Sequence, residues 1–331
     1  MSKLSLHVSL WAAGVILYCC LFPSLLFSAT KLRIGYSAIT TTQAPLWAAQ
    51  DRGIFTKYGI EPELIYLAGG SKIALALESN SIQMGRFNVS SAVESRLAGG
   101  TLVVIGSFYD YYYFQIFGKP TFQRPADLKG KVIAASTAGS ASDYGVREAL
   151  GHFGLKETEY KILYTGGTDA RVQALQLGLA DAAIISPPNG LIAQKLGFKE
   201  LVNLMEMKML FGYGGLVAKE SWLKQNRETV LNFFKSYLEG LAVLRQDPEY
   251  ALQVIGKFSR ISDRDILLES YRTSVPQMPT RPYVKKEIVE KALKMSRNEA
   301  ARRAEAEKFY DNSFVKTLDD AGFMTALFGN N

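Results

Sequence analysis

The middle of this chain of 331 residues states nearly the same pattern twice. Residues 32–108 run as strand LRIGYS, loop AITTTQ, helix APLWAAQDRGIFTKYG, strand PELIYLA, loop GGS, helix KIALALESNS, strand IQMGRFN, helix SSAVESRLAGG and strand LVVIGSF. Residues 130–206 run as strand KVIAAS, loop TAGSA, helix SDYGVREALGHFG, strand YKILYT, loop GGT, helix DARVQALQLG, strand AAIISP, helix NGLIAQKLGF and strand ELVNLM. Short apolar runs bounded by turn residues read as buried strands, and apolar residues at helical spacing read as helices. Gly69–Gly70 falls on Gly166–Gly167, Gly59 on Gly154 and Gly100 on Gly197, an offset of about 97 residues or slightly fewer. Two β-α-β-α-β units in series predict two α/β lobes, each built on a mostly parallel sheet. Ligands of such sheets bind outside the carboxyl ends of the strands, where this chain places hydroxyls, glycines and helix starts.

Two segments should join the lobes: YDYYYFQIFGKPTF at 109–122, rich in aromatic residues, and KMLFGYGGLVAK at 208–219, whose glycines allow backbone freedom. The expected division is 31–112 plus 214–331 for lobe one and 113–213 for lobe two. From Ser221 the chain reads as helical and has no third copy of the repeat, so it should cap one lobe. Val230, Phe233, Phe234, Tyr237, Leu238, Leu241 and Leu244 form one apolar stripe, expected to pack on lobe one. SRNEAARRAEAEKFY, 296–310, reads as a charged helix with a solvated face.

The first 30 residues carry Lys3, a long apolar run and no acid, the layout of a secretory signal peptide ending at Ser28, Ala29 and Thr30. The run is also long enough for an uncleaved anchor. ILYC at 16–19 loosely matches a lipoprotein cleavage box, but Tyr18 stands where a small residue belongs. Both cysteines, Cys19 and Cys20, fall in this leader, so the mature chain should have no disulfide, thiol nucleophile or thiolate metal site. Its net charge of +6 is spread along the chain, which implies no nucleic-acid partner.

LWAAQDRGIFTKYGIEPELIYLAGGS, PADLKGKVIAASTAGSASD and RVQALQLGLADAAIISPP resemble the periplasmic substrate-binding proteins of bacterial ABC importers. The similar branch contains aliphatic-sulfonate, nitrate and taurine binders and the thiamine-pyrimidine-synthase-like proteins. The likeness covers roughly residues 31–260 and thins beyond. It implies a two-lobe Venus-flytrap fold with two hinge crossovers, no cofactor, a monomer, and delivery of a small polar or anionic molecule to an ABC permease in the inner membrane. A sensor of the same fold docking on a membrane signalling protein is the alternative. The pyrimidine-making enzyme of this fold relies on a clustered Cys motif and a reactive His. Here the mature chain has no Cys and only His152, which reads as a helix C-terminal residue. No G-x-S-x-G or H-E-x-x-H supports a hydrolase either.

The loops expected at the cleft supply the candidate ligand-binding residues. They are Ser37, Thr40 and Thr41 after the first strand, Gly70 and Ser71 after the second, and Asn88 and Ser90 after the third. Lobe two offers Ser136, Gly139 and Ser140, then Gly167 and Thr168, then Ser186. Hydroxyls and the free N–H groups of helix starts suit a polar ligand head, although the same Ser and Thr residues can simply cap their own helices. Tyr112 and Tyr213, on the two crossovers, are placed to stack on a ligand. Arg86, Arg171 and Lys72 lie near these loops and could pair with a carboxylate or sulfonate. Arg171 sits in a helix first turn, where the dipole disfavours a cation, so a compensating partner is expected. Asp143 and Asp169 suit the first turns they occupy. Trp47 reads as core.

Overall fold

The computed structural model describes residues 29–329. The expected leader therefore lies outside the described residues except for Ala29 and Thr30, and Thr30 already belongs to the first strand. The first repeat folds as β1 (Thr30–Tyr36), α1 (Ala44–Asp51), α2 (Ile54–Lys57), β2 (Ile60–Tyr66), α3 (Gly70–Glu78), β3 (Met84–Phe87), α4 (Val89–Leu97) and β4 (Leu102–Ser107). The first crossover contributes β5 (Gln115–Gly118). The second repeat gives β6 (Val132–Ala135), α5 (Ala141–His152), β7 (Lys161–Tyr164), α6 (Thr168–Gln176), β8 (Ala182–Ile185), α7 (Asn189–Lys195) and β9 (Lys199–Asn203), and the second crossover gives β10 (Gly215–Lys219).

These strands form two five-stranded sheets with one shared plan, ordered β2-β1-β3-β10-β4 and β7-β6-β8-β5-β9. In each, the three leading strands of the repeat are parallel, and the crossover strand runs antiparallel between the third and the fourth. The registers match as well: Ile34 pairs with Leu64 and Met84, and Ile133 with Ile162 and Ala182. Each crossover thus completes the sheet of the lobe it enters. The chain has the α/β two-lobe fold that its repeat implies.

The C-terminal part adds α8 (Glu220–Gln225), α9 (Arg227–Gln246), α10 (Pro248–Ser259), α11 (Arg264–Arg272), α12 (Lys286–Met295), α13 (Ser313–Asp320) and α14 (Phe323–Phe328). The predicted stripe of α9 is buried from Val230 to Leu244 and packs on α1. Trp47 is core: its ring stacks on Phe258 at 5.3 Å. The buried apolar side chains at this junction each contribute about 1.5–3 kcal/mol, which holds the helical extension on lobe one.

Residues 296–310 depart from expectation. They form two short 3-10 turns, Glu299–Arg303 and Ala306–Phe309, not a charged α-helix. Asn298 Oδ1 accepts from the Ala300 amide at 3.0 Å, which favours a turn, and Ala306 and Phe309 are buried beside α12. Tertiary packing overrides the helical propensity of the Ala, Glu and Arg residues. No helix of the described residues is long and apolar enough to cross a membrane.

Candidate functional site

The carboxyl ends of β1, β2 and β3 face those of β6, β7 and β8 across a narrow cavity of about 30 Å³. That is room for ordered water or the head of a small ligand. Lobe one contributes Ser37, Tyr66, Gly69, Gly70 and Asn88, and lobe two contributes Ser136, Ser140, Ser142, Gly166, Gly167, Thr168 and Arg171. Each crossover adds one aromatic ring, Phe114 and Tyr213. The lobes touch around this space. Ser71 Oγ and Thr137 Oγ1 lie 3.1 Å apart, and Ser91 Oγ donates to the Gly139 carbonyl at 2.9 Å. Two glycines permit the approach. A Cβ on Gly69 would stand 2.2 Å from Thr137 Oγ1, and one on Gly167 would stand 2.6 Å from the Tyr66 hydroxyl.

The hydroxyls of lobe two form a linked group. The Ser136 amide donates to Ser142 Oγ at 2.9 Å, Ser136 Oγ donates to Ser140 Oγ at 2.9 Å, and Ser140 Oγ accepts from the Asp143 amide at 3.4 Å. Ser140 therefore caps α5 and faces the cavity at once. Asn88 precedes α4 without capping it through its side chain. Its Oδ1 accepts from Ser91 Oγ at 3.0 Å, and its Nδ2 is buried without a partner.

Arg171 supplies the charge. It is 3% exposed; its Nη2 donates to Thr168 Oγ1 at 2.6 Å, its Nη1 to the Ile184 carbonyl and its Nε to the Gly167 carbonyl at 3.4 Å. The compensating partner expected for it is present as these three oxygens, and the Asp169 carboxylate acts on it electrostatically without a hydrogen bond. Neutral oxygens hold it, and Phe114 lies with its centroid 5.8 Å from Cζ. Burial lowers the guanidinium to about 10, so it remains a cation at physiological pH. Burial also pushes the Tyr213 hydroxyl up to about 12, against the pull of Arg171, so this phenol stays protonated. Tyr66 is likewise raised, chiefly by burial. The site is a desolvated cation hydrogen-bonded only to neutral oxygens and ringed by hydroxyls, with the Asp169 carboxylate within electrostatic reach, an arrangement that favours an anion in hydrogen-bond contact.

Nine of the residues chosen from sequence line the cavity: Ser37, Gly70, Asn88, Ser136, Ser140, Gly167, Thr168, Arg171 and Tyr213. The others lie elsewhere. Thr40 and Thr41 are fully buried behind the wall, where Thr40 Oγ1 and Thr42 Oγ1 lie 2.8 Å apart. Ser90 is buried within α4, and Ser186 sits beneath the wall, 3.4 Å from Thr168 Oγ1. Ser71 and Gly139 serve contacts between the lobes; Gly139, at φ +69°, has open space where its side chain would be. Tyr112 turns away from the cavity, stacks on Phe211 at 4.1 Å and donates to Glu148 at 2.7 Å. Phe114, two residues on, takes the position expected of it, because the stretch before β5 is irregular and alternation does not fix its facing. Lys72 is exposed outside the cavity. Tyr66 and Phe114 line the cavity without having been singled out, and Ser142 lines it at the end of the expected loop 136–142. The signal available for Tyr66 was its place at a strand end ahead of a glycine pair.

The profile of the NMT1/THI5-like family matches residues 40–251. The chain belongs to the NMT1/THI5-like family. A Brachyspira hyodysenteriae protein provisionally named an ABC transporter periplasmic binding protein is 23% identical over 276 residues, covering 79% of this chain and 78% of that one. The nitrate-binding protein NrtA of Synechocystis PCC 6803 superposes with a TM-score of 0.73 at 14% identity, covering 88% of this chain and 89% of NrtA. The alkanesulfonate-binding protein SsuA of Xanthomonas axonopodis pv. citri, solved with MOPS, gives 0.69 at 19% identity, with 84% and 95% covered. These likenesses establish the periplasmic-binding-protein fold for this NMT1/THI5-like chain. The resemblance drawn from sequence implies that a pyrimidine-making enzyme of this fold would need a Cys cluster and a reactive His. In this chain Cys19 and Cys20 fall outside the described residues, and His152 is exposed in the last turn of α5, away from the cavity.

Proposed function

We propose that this protein is an exported solute receptor that closes on a small anionic molecule and delivers it to an ABC permease. Residues 31–112 plus 214–331 act as one jaw and 113–213 as the other, behind a leader over 1–30. The observation that carries this reading is Arg171, a buried cation whose hydrogen bonds all go to neutral oxygens, in the narrow space between the lobes. A buried charge is costly unless something opposite pairs with it. A ligand anion supplies that partner only when the jaws meet, so its affinity is higher for the closed form and shifts the population towards closure. The neutral hydroxyls and rings around it bind and orient; nothing in the cavity is arranged to break a bond.

Native mass spectrometry of protein taken from the periplasm without refolding tests the reading. The expected result is one small anion retained, on a chain that begins near residue 30. Arg171→Gln should release it, with a loss of roughly 2–4 kcal/mol, about 30- to 1,000-fold in affinity. A neutral or cationic retained molecule, or an unchanged load in Arg171→Gln, refutes it.

A further inference from the structure

Lobe one holds a second buried guanidinium that the reading above leaves unused. Arg86, at the carboxyl end of β3, is 0% exposed. Its Nη2 donates to the Thr42 carbonyl at 3.1 Å and to the Tyr237 hydroxyl at 3.3 Å, and its Nε donates to the same hydroxyl at 3.4 Å. None of these acceptors is an acid. Its Nη1 is buried with no hydrogen-bond partner. Its Cζ lies 5.4 Å from the Phe108 ring and 5.8 Å from the Tyr237 ring, but buried polar groups are nearly always satisfied and buried charges nearly always paired, so an arginine with one unsatisfied nitrogen and no acid partner marks a place where something is missing.

Arg86 stands directly behind the cavity wall. A Cβ on Gly214 would lie 2.6 Å from its Nη1, and Gly214 follows Tyr213, whose ring lines the cavity. Two residues after Arg86 comes Asn88, also on the cavity wall, 2% exposed and with an unpartnered Nδ2. The Tyr213 hydroxyl is within electrostatic reach of both guanidiniums, each of which opposes the rise that burial imposes on it. The narrow space is therefore bracketed by two cations, one from each lobe. No carboxylate forms an ion pair with either among the described residues, and the Asp169 carboxylate offsets Arg171 only in part, without a hydrogen bond to it.

We infer that the cleft, with its lobes set further apart than around the cavity of about 30 Å³ seen here, selects a ligand with two acidic groups, one seated on Arg171 and the other on Asn88 Nδ2 in front of Arg86. The inference rests on the anion-receptor reading and narrows its ligand class to short dianions. Arg86 acts on charge from behind the wall, and Asn88 makes the contact. Two partners of opposite charge would neutralise a cleft that otherwise closes on two unpaired cations.

Titration calorimetry with matched pairs on one skeleton tests this: ethane-1,2-disulfonate against ethanesulfonate, and succinate against butanoate. The dianion of at least one pair should bind tenfold or more tighter than its monoanion. That preference should fall below threefold in Arg86→Gln and in Asn88→Ala, and survive in Arg86→Lys. Circular dichroism checks that each variant folds; Asn88→Ala, at the cavity surface, keeps the test open if Arg86→Gln does not. Equal binding of both members of each pair overturns the inference, as does a dianion preference unchanged in folded Asn88→Ala. Loss of the monoanion in Arg171→Gln shows that the underlying reading stands in that case. Silence from all four probes, or monoanion binding indifferent to Arg171→Gln, sinks the underlying reading and this inference with it.

Discussion

The two lobes share a sheet plan, a strand register and paired glycines, yet they are armed differently. Where β3 of lobe one carries Arg86 as its penultimate residue, the matching position of β8 is Ile184, one residue past Ala183 as Arg86 is one past Gly85. Lobe two places its guanidinium on a helix instead, and the Arg171 Nη1 donates to the carbonyl of that same Ile184. Each lobe thus brings one buried cation to the carboxyl ends of its strands by a separate route. Asn88 and Ser186 are likewise counterparts, but Asn88 faces the cavity while Ser186 lies fully buried beneath it. The repeat specifies the scaffold, and the chemistry is added at positions that the repeat does not share. Function belongs to sites grafted on a fold, here at the scale of half a molecule.

The largest effect should come from breaking the fit between the halves. Gly167 has an ordinary helical-entry backbone at φ −61°, so a side chain there strains nothing locally. It would meet the Tyr66 hydroxyl of the opposite lobe at 2.6 Å. Gly167→Val should leave each lobe folded, hold the jaws apart, and weaken binding by about 100-fold, equivalent to ~2.7 kcal/mol. Adding Tyr66→Phe removes the obstructing oxygen and should restore part of that affinity. Small-angle scattering of the variant, read against wild type with ligand, should show the more open form. Full affinity in Gly167→Val would mean that the lobes do not need this approach.

A smaller effect tests whether structural counterparts are functional counterparts. Ser186→Ala removes a hydroxyl that lies beneath the wall beside Thr168 Oγ1. It should cost about 0.5–1.5 kcal/mol of stability and leave affinity within about threefold. Thermal unfolding and titration separate the two readouts. A large loss of affinity without loss of stability would place Ser186 in ligand contact and restore the symmetry that the structure denies.

The scaffold was legible because strand and helix periods, glycine spacing and loop composition are local properties, and a duplicated pattern checks itself. The loops were legible as loops, which is why Ser136, Ser140, Gly167, Thr168 and Asn88 were placed at the cavity. Facing within a loop was not. Tyr66 lines the cavity, while Tyr164, which also stands just ahead of the second glycine pair, is partly exposed and donates to Asp143 at 2.9 Å. One additional residue between Tyr66 and its glycines separates the two cases. Arg171 was singled out from its place near a cleft loop, and its compensating partners prove to be the Thr168 hydroxyl and the Gly167 and Ile184 carbonyls, which helix-dipole reasoning does not identify because it sees only the helix and not the cleft. The segment 296–310 read as helix because propensity is blind to the burial of Ala306 and Phe309.

The smallest expected effect lies at the mouth of the cleft, where charged pairs cross between the lobes. Lys291 pairs with Glu148, Arg297 with Glu157, and the Tyr144 hydroxyl donates to Glu94 at 3.2 Å. These pairs form only when the lobes meet, so they favour closure with or without ligand. Their worth follows from exposure. The Lys291–Glu148 side chains are 32% and 18% exposed, whereas those of Arg297 and Glu157 are 76% and 46% exposed. Solvent and salt screen the outer pair almost entirely, and an exposed pair contributes only about 0–1 kcal/mol. Lys291→Met should therefore weaken closure by a few tenths of a kcal/mol up to about 1, and Arg297→Met by less. A double-mutant cycle with Glu148→Gln isolates the inner pair; Glu148→Gln alone is not enough, because Glu148 also accepts from the Tyr112 hydroxyl. The readout is fluorescence transfer between dyes on the two lobes, at low and at high salt. Raising the salt should move the wild type towards the open form by less than about threefold and leave Lys291→Met nearly insensitive. A coupling of zero, with no salt response, would leave closure to the cavity itself: to Arg171, the paired glycines, and whatever the two jaws hold between them.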